Sequence, residues 1–216
     1  MKTSKLVLGL IFSFILSVAM AQQEDDDQKP QVRSVFGKHR VNSGGYGAIS
    51  NKFTSLDGQY ANMVEVYGGW YINQWFLLGL SGAAVTNDIP VPSECSAIPG
   101  ENLSYMYGQF GLKTEYVISS NNAFHIAFDL MTGTGFTAQY DRYYYREGAT
   151  YRNMPYQEDW FFVAEPGIQL EVNIFKWMRF SPGYSYRLVY GSNAEGLSDE
   201  KLSGHSFNLA LKFGKF

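Results

Sequence analysis

Trp160-Phe161-Phe162-Val163-Ala164-Glu165-Pro166-Gly167-Ile168-Gln169-Leu170-Glu171-Val172-Asn173 is the stretch that decides the fold. Trp160, Phe162, Ala164, Pro166, Ile168, Leu170 and Val172 fall on one phase of a two-residue repeat, with Glu165, Gly167, Gln169, Glu171 and Asn173 on the other. Successive side chains of a strand point to opposite faces, so this is a β-strand with one apolar and one ionic face. A tilted strand of about 9 to 11 residues crosses a bilayer, and the apolar face is about that long.

The same alternation recurs on both sides of this stretch. Val64, Val66, Trp70 and Ile72 oppose Glu65 and Tyr67, and Phe110, Leu112 and Tyr116 oppose Lys113 and Glu115. Phe124, Ile126, Phe128 and Leu130 stand against Ala127, Asp129 and Gly133; Met178, Phe180, Tyr184, Tyr186 and Leu188 stand against Arg179, Ser181, Ser185 and Arg187. Phe207, Leu209, Leu211 and Phe213 repeat the pattern near the C-terminus. No stretch carries the period of a long amphipathic helix, so the domain is all-β. The pattern predicts strands over residues 43–55, 63–72, 75–86, 103–118, 123–138, 159–173, 178–190 and 204–215. Between them lie a connection of seven residues (56–62), Asn73-Gln74, and a Pro-rich segment around Pro90 and Pro92. The Ser119–Asn122 turn, a long loop through Tyr145 and Tyr151, a turn at Phe175-Lys176, and a loop around Asn193 to Asp199 complete the set. Short and long connections alternate, and an even strand number returns the chain to the side where it entered. The predicted fold over residues 42–216 is an eight-stranded antiparallel up-and-down transmembrane β-barrel.

Alternation by itself does not say which face is inside. A soluble barrel encloses its apolar face, whereas a membrane barrel turns that face outward to lipid. Both signs of charge recur on the polar face here, which points to an enclosed network. Glu65, Glu115, Asp129, Glu165 and Glu171 are expected to pair with Lys113, Arg179, Arg187 and Lys212, because an isolated buried ion costs several kcal/mol. Trp70, Tyr71, Trp75 and Phe76 flank the Asn73-Gln74 turn, and Phe175 and Trp177 flank Lys176. Tyr and Trp favour the membrane–water boundary, and these two turns are therefore assigned to the periplasmic level.

The N-terminus opens with Lys2 and Lys5, an apolar run from Leu6 to Val18, and Ala19-Met20-Ala21 before Gln22. This predicts a cleaved signal peptide over residues 1–21, since the run is too short for a helical membrane span. No cysteine stands at the cut site, so lipid anchoring is not expected. Residues 22–41 contain Glu24, Asp25, Asp26, Asp27 and Pro30 with few apolar side chains, the composition of a flexible acidic periplasmic segment. Loss of Lys2 and Lys5 lowers the 17 basic side chains to 15 against 20 acidic ones, and this acidity argues against nucleic acid as a partner. Cys95, the only cysteine, has no internal partner and is read as a packed or surface thiol.

Ser43-Gly44-Gly45-Tyr46-Gly47-Ala48 leading to Lys52-Phe53-Thr54, and Gly68-Gly69-Trp70-Tyr71-Ile72-Asn73 leading to Leu78-Gly79-Leu80, carry a further signal. Together with Asn173-Ile174-Phe175-Lys176-Trp177-Met178-Arg179 and Tyr186-Arg187, they resemble small outer-membrane β-barrel proteins of Bacteroidota, across residues 43–216. The resemblance implies the barrel fold and a place in the outer membrane; it brings no activity and no catalytic residue. Termination on Phe216 resembles the C-terminal strand by which the barrel assembly machinery recognises such proteins, although Phe216 is out of phase with Phe213.

Chemistry is sparse. His39, His125 and His205 are too scattered to imply a metal cluster, and no cofactor is expected. His205-Ser206 has the composition of a hydrolytic dyad, but neighbours in a strand point apart, so an enzyme is not expected. Gly133-Thr134-Gly135 lies in a strand pattern with no following helix and is not a phosphate loop. Eight strands leave an interior just filled by side chains, which disfavours an open porin. Transport or binding of a small solute or lipid is the alternative reading, and lipid modification ranks below it. A structural or surface-interaction role is preferred. The loop between the fifth and sixth strands carries Arg142, Tyr143, Tyr144, Tyr145, Arg146, Tyr151, Arg152 and Tyr156, and Tyr with Arg gives large contact area with polar ends. Expected partners are outer-membrane lipid, lipopolysaccharide headgroups or a surface protein.

Overall fold

The computed structural model describes residues 44–72, 75–120, 122–141 and 156–215. Eight antiparallel strands follow one another around a closed barrel: β1 (Gly44–Leu56), β2 (Gln59–Ile72), β3 (Phe76–Val85), β4 (Leu103–Ile118), β5 (Phe124–Asp141), β6 (Tyr156–Phe175), β7 (Met178–Tyr190) and β8 (Gly204–Gly214). Each pairs with its sequence neighbour, and β8 closes on β1 through rungs such as Ser50↔Ala210 and Lys52↔Asn208. Closure leaves no free sheet edge. A single helical turn, α1 (Asp199–Leu202), sits between β7 and β8.

Polarity is inverted relative to a soluble barrel. On β6, Leu170 is 48% exposed while Glu171 is fully buried, and the same contrast runs along β2, β4, β5 and β8. Ring and branched apolar side chains therefore form the outer surface, and the charged side chains of the strands point inward. That is the arrangement of a barrel solvated by hydrocarbon.

The first hairpin differs from the sequence expectation. Instead of seven residues, a two-residue turn joins β1 to β2, with Asp57 and Gly58 both at positive φ (49° and 71°) and Leu56 paired with Gln59. This is the geometry for which Asp-Gly is suited, because its twist matches that of the flanking strands. Ala61 and Met63 continue the inward phase of β2 below this turn. Of the four connections at this end of the barrel, only the later three are long. β5 and β6 also extend beyond the expected ends, to Asp141 and from Tyr156, and the β6–β7 turn is Lys176-Trp177.

Inward glycines allow strands to pass close together. Gly69 on β2 faces Gly79 on β3, and a Cβ on either would lie under 3.0 Å from the other strand's backbone. Gly111 and Gly133 make a second such rung between β4 and β5. Such glycine rungs suit the tight curvature of a small barrel.

Candidate functional site

The barrel interior holds ionic groups in two layers. In the layer nearer the short turns Lys212 of β8 donates to both carboxylate oxygens of Glu115 on β4, at 3.0 and 2.9 Å, and also to Glu171 on β6. Arg179 of β7 donates to Glu171 Oε2 at 3.0 Å, and His125 Nε2 lies 2.7 Å from the same oxygen. The other ring nitrogen of His125 lies 3.2 Å from the Asn122 carbonyl. Tyr46 completes the shell of Glu115 by donating at 2.5 Å, with its ring stacked on Tyr71 at 5.0 Å.

In the second layer Lys113 is 2.6 Å from Asp129 and Lys52 is 2.5 Å from Glu165. Glu65 stands between the two lysines, 3.8 Å from each, and accepts from Ser81 at 2.7 Å. Gln109 and Ser185 donate to Glu165 at 2.7 and 2.6 Å, and Gln169 donates to Asp129 at 2.9 Å. The Tyr67 ring lies between the layers, with Lys113 Nζ 5.0 Å and Lys212 Nζ 5.7 Å from its centroid. Among the described residues the buried cations Lys52, Lys113, Arg179, Arg187 and Lys212 match five buried carboxylates in number, with His125 besides. Pairing with added hydrogen bonds is the condition under which such burial is tolerated.

Arg187 departs from the expected role. Its guanidinium donates not to a carboxylate but to the carbonyls of Leu202 at 2.7 Å and Ser55 at 2.9 Å, and it lies 5.0 Å from the Tyr107 ring centroid. The reason is height: Arg187 is the most external of the inward charges on β7, level with the loop ends, where free carbonyls of α1 and β1 need donors. It joins the β7–β8 loop to the barrel wall.

That loop and the β3–β4 loop together cover the mouth at the long-loop end of the barrel. Ile89 from one and Leu197 and Leu202 from the other are buried among Leu56, Met63, Tyr105, Tyr107 and Phe161. A polar chain ties the loops at the rim. Gln139 donates to the Cys95 carbonyl and to Gln157 Oε1, both at 2.8 Å, and Gln157 donates to Glu195 at 2.8 Å. Lys201 Nζ is 2.9 Å from Asp57, a pairing that raises the lysine pKa.

The nine expected lumen residues all point inward and are buried, and eight of them take part in the two ionic layers. Lys52 and His125 belong there too and were not anticipated. Lys52 follows the inward phase of Tyr46, Ala48 and Ser50, so β1's alternation already carried that signal. His125 carried a similar signal, one residue after Phe124 and two before Ala127 on β5. Tyr71, expected among the boundary aromatics, instead faces inward and is buried, whereas Trp70, Trp75 and Trp177 face outward. His205 is exposed and Ser206 fully buried, so their side chains diverge. Of the external-loop residues, Tyr156 opens β6, while Arg142, Tyr143, Tyr144, Tyr145, Arg146, Tyr151 and Arg152 lie outside the described residues, as does Phe216. Among the described residues no three His, Cys, Asp or Glu side chains converge on a metal-sized site.

No protein-family model matches the chain, and no curated protein matches it. Solved structures do. Neisserial surface protein A superposes with a TM-score of 0.53 at 8% identity, covering 81% of this chain and 97% of that one. The N-terminal β-barrel domain of Pseudomonas aeruginosa OprF gives 0.49 at 10% identity, covering 81% and 98%. Ail, the attachment invasion locus protein of Yersinia pestis, gives 0.47 at 11% identity, covering 82% and 99%. Such identities speak to architecture alone, and by its closed eight-stranded meander the chain has the fold of small outer-membrane β-barrels.

Proposed function

We propose that this protein is a closed barrel of the outer membrane that acts through its external face, as a structural or surface-interaction protein, and conducts no solute. One observation carries the reading: the mouth cluster of Ile89, Leu197 and Leu202 lies above two ion-paired layers whose partners span the lumen from β4 to β8. Opening a path for solute requires parting those buried pairs, which costs several kcal/mol each. The apolar outer wall supports placement in lipid, and the resemblance and the architecture support the outer membrane in particular.

The external face has the chemistry of a contact surface. Its described segments carry ten carboxylates, among them Asp88, Glu94, Glu101, Glu158 and Glu195, against Lys201 alone. The loop with Arg142, Arg146 and Arg152 contributes the opposite charge. A surface mixing acidic residues with Tyr and Arg suits a protein partner of complementary charge. Lipopolysaccharide phosphates would engage the arginines only. Recognition of β8 by the assembly machinery belongs to the same proposal.

Planar-bilayer recordings test closure: single-channel openings like those of a general porin would overturn it. Replacing Tyr143, Tyr144, Tyr145, Arg142, Arg146 and Arg152 together should abolish capture of the surface partner while leaving heat-modifiable gel mobility intact. Unchanged capture in membranes both with and without lipopolysaccharide would count against the interaction role.

A further inference from the structure

We infer that the inner wall of β6, β7, β8, β1 and β2 carries a hydration site, where a small cluster of buried water molecules sits among the ionic layers. Ser50 Oγ, Tyr67 OH, Gln169 Oε1, Ser181 Oγ, Ser206 Oγ and Asn208 Oδ1 are cut off from solvent, and none has a protein hydrogen-bond partner. Buried polar atoms are nearly always partnered, so six such atoms in one lumen call for a ligand.

The register shows that they form one patch. Ser50 pairs with Ala210 and Ala210 with Ser181, making one inward rung across β1, β8 and β7. The next rung joins Lys52, Asn208 and Gly183, and Gly183 pairs with Gln169 on β6. Ser206 follows on β8, two residues beyond Asn208, and Tyr67 pairs with Ala48 one rung below Ser50. Ser50, Ser181, Gly183 and Ala210 give this part of the wall small side chains, and the lumen beside them is correspondingly open.

The unpartnered groups define the ligand. Gln169 and Asn208 use their amide N–H groups on Asp129 and Ser185, which leaves two carbonyl acceptors without donors. The four hydroxyls can donate or accept. A molecule meeting all of them must do both, be neutral, and fit between rungs. Lys212 and Arg179 share the rung of Tyr67, and Lys52 shares the rung of Asn208, so three fixed cations within the patch disfavour a metal ion. The acceptor oxygens of Gln169 and Asn208 exclude an anion. Water satisfies every condition, and a barrel of this size ordinarily holds about half a dozen buried waters. The Arg187-anchored cap above and the Lys212–Glu171 pair below make exchange with bulk slow.

Hydroxyl-radical footprinting by X-ray pulses, on the folded protein in phospholipid nanodiscs, tests this. Radiolysis of a bound water creates the radical beside the residue that holds it, so even a buried ring is labelled. Tyr67 and Tyr107 are almost equally buried, at 3% and 1%, but the Tyr107 hydroxyl is satisfied by Gln109 at 2.8 Å. Tyr67 should be modified several-fold faster than Tyr107; equal protection of both overturns the proposal. Combining Ser50→Val with Ser181→Val should lower Tyr67 labelling toward that of Tyr107, and unchanged labelling in the folded variant overturns the assigned position. If that variant does not fold, the comparison of the two tyrosines in the unaltered protein decides.

Discussion

Replacing Lys212 by Met isolates the contribution of the ionic core. Its ammonium group has no exposed surface and bridges Glu115 and Glu171, with both oxygens of Glu115 within 3.0 Å. Methionine retains most of the apolar stem, so packing changes little and the charge is lost. Removing one partner of a buried pair typically costs about 3–5 kcal/mol, because the remaining charge stays desolvated. Here Glu171 keeps Arg179 and His125, and Glu115 keeps the Tyr46 hydroxyl, which places the loss near the lower end. About 3 kcal/mol is a roughly 150-fold shift in the folding equilibrium. Urea titration in lipid, read by tryptophan fluorescence and heat-modifiable mobility, measures it. Lys201→Met supplies the control, since that lysine pairs with Asp57 at the surface and its removal should leave the midpoint in place. Adding Glu115→Gln to Lys212→Met should recover part of the loss, because Glu115 is the carboxylate that loses its cation, a non-additivity expected of groups in one network. A Lys212→Met midpoint equal to the Lys201→Met control refutes the view that these charges are enclosed and mutually dependent.

Three further outcomes follow from the geometry. Gly69→Ala sets a methyl group against the backbone of Leu78 and Gly79, which cannot withdraw, so it should cost about 1–3 kcal/mol or block the heat-modifiable form outright. Cysteines placed singly at 170 and 171 in a Cys95→Ser background should differ sharply: a spin label at 170 is relaxed by lipid-soluble oxygen, whereas one at 171 is shielded or prevents folding. The reverse result would mean that the barrel faces are inverted. Arg187→Ala removes the donors to the Leu202 and Ser55 carbonyls, so limited proteolysis within 191–203 should accelerate while the strands remain protected.

Much of this architecture was legible because a strand's side-chain period is two, and lipid on one side makes that period visible. From Ala164 to Asn173 the alternation is uninterrupted, and β6 runs through all of it. The first hairpin is less legible for the opposite reason. Ala61 and Met63 are inward apolar residues in a strand whose inward phase is otherwise marked by Glu65 and Tyr67, so the alternation loses contrast above residue 63. Asp57-Gly58 carried the needed turn signal. Tyr71 shows a related limit. Next to a turn, an aromatic residue is equally plausible as a boundary anchor and as a floor of the lumen, and only its phase relative to Tyr67 separates the two.

Inward direction could be read from the chain, but the pairing of charges could not. Lys52 meets Glu165 on β6 across the lumen at 2.5 Å, closer than Glu65 on the adjoining strand at 3.8 Å. Strand tilt sets which inward side chains share a level, and tilt depends on the shear of the whole closed sheet, to which every hairpin contributes. Alternation along one strand contains no information about that quantity. Arg187 makes the point from the other direction: one alternation identifies it and Arg179 as inward cations of β7, yet eight residues of rise place one among carboxylates and the other among loop carbonyls. Direction comes from the strand and depth from the barrel, so a lumen charge that reaches past the last carboxylate becomes an anchor for whatever loop covers the mouth.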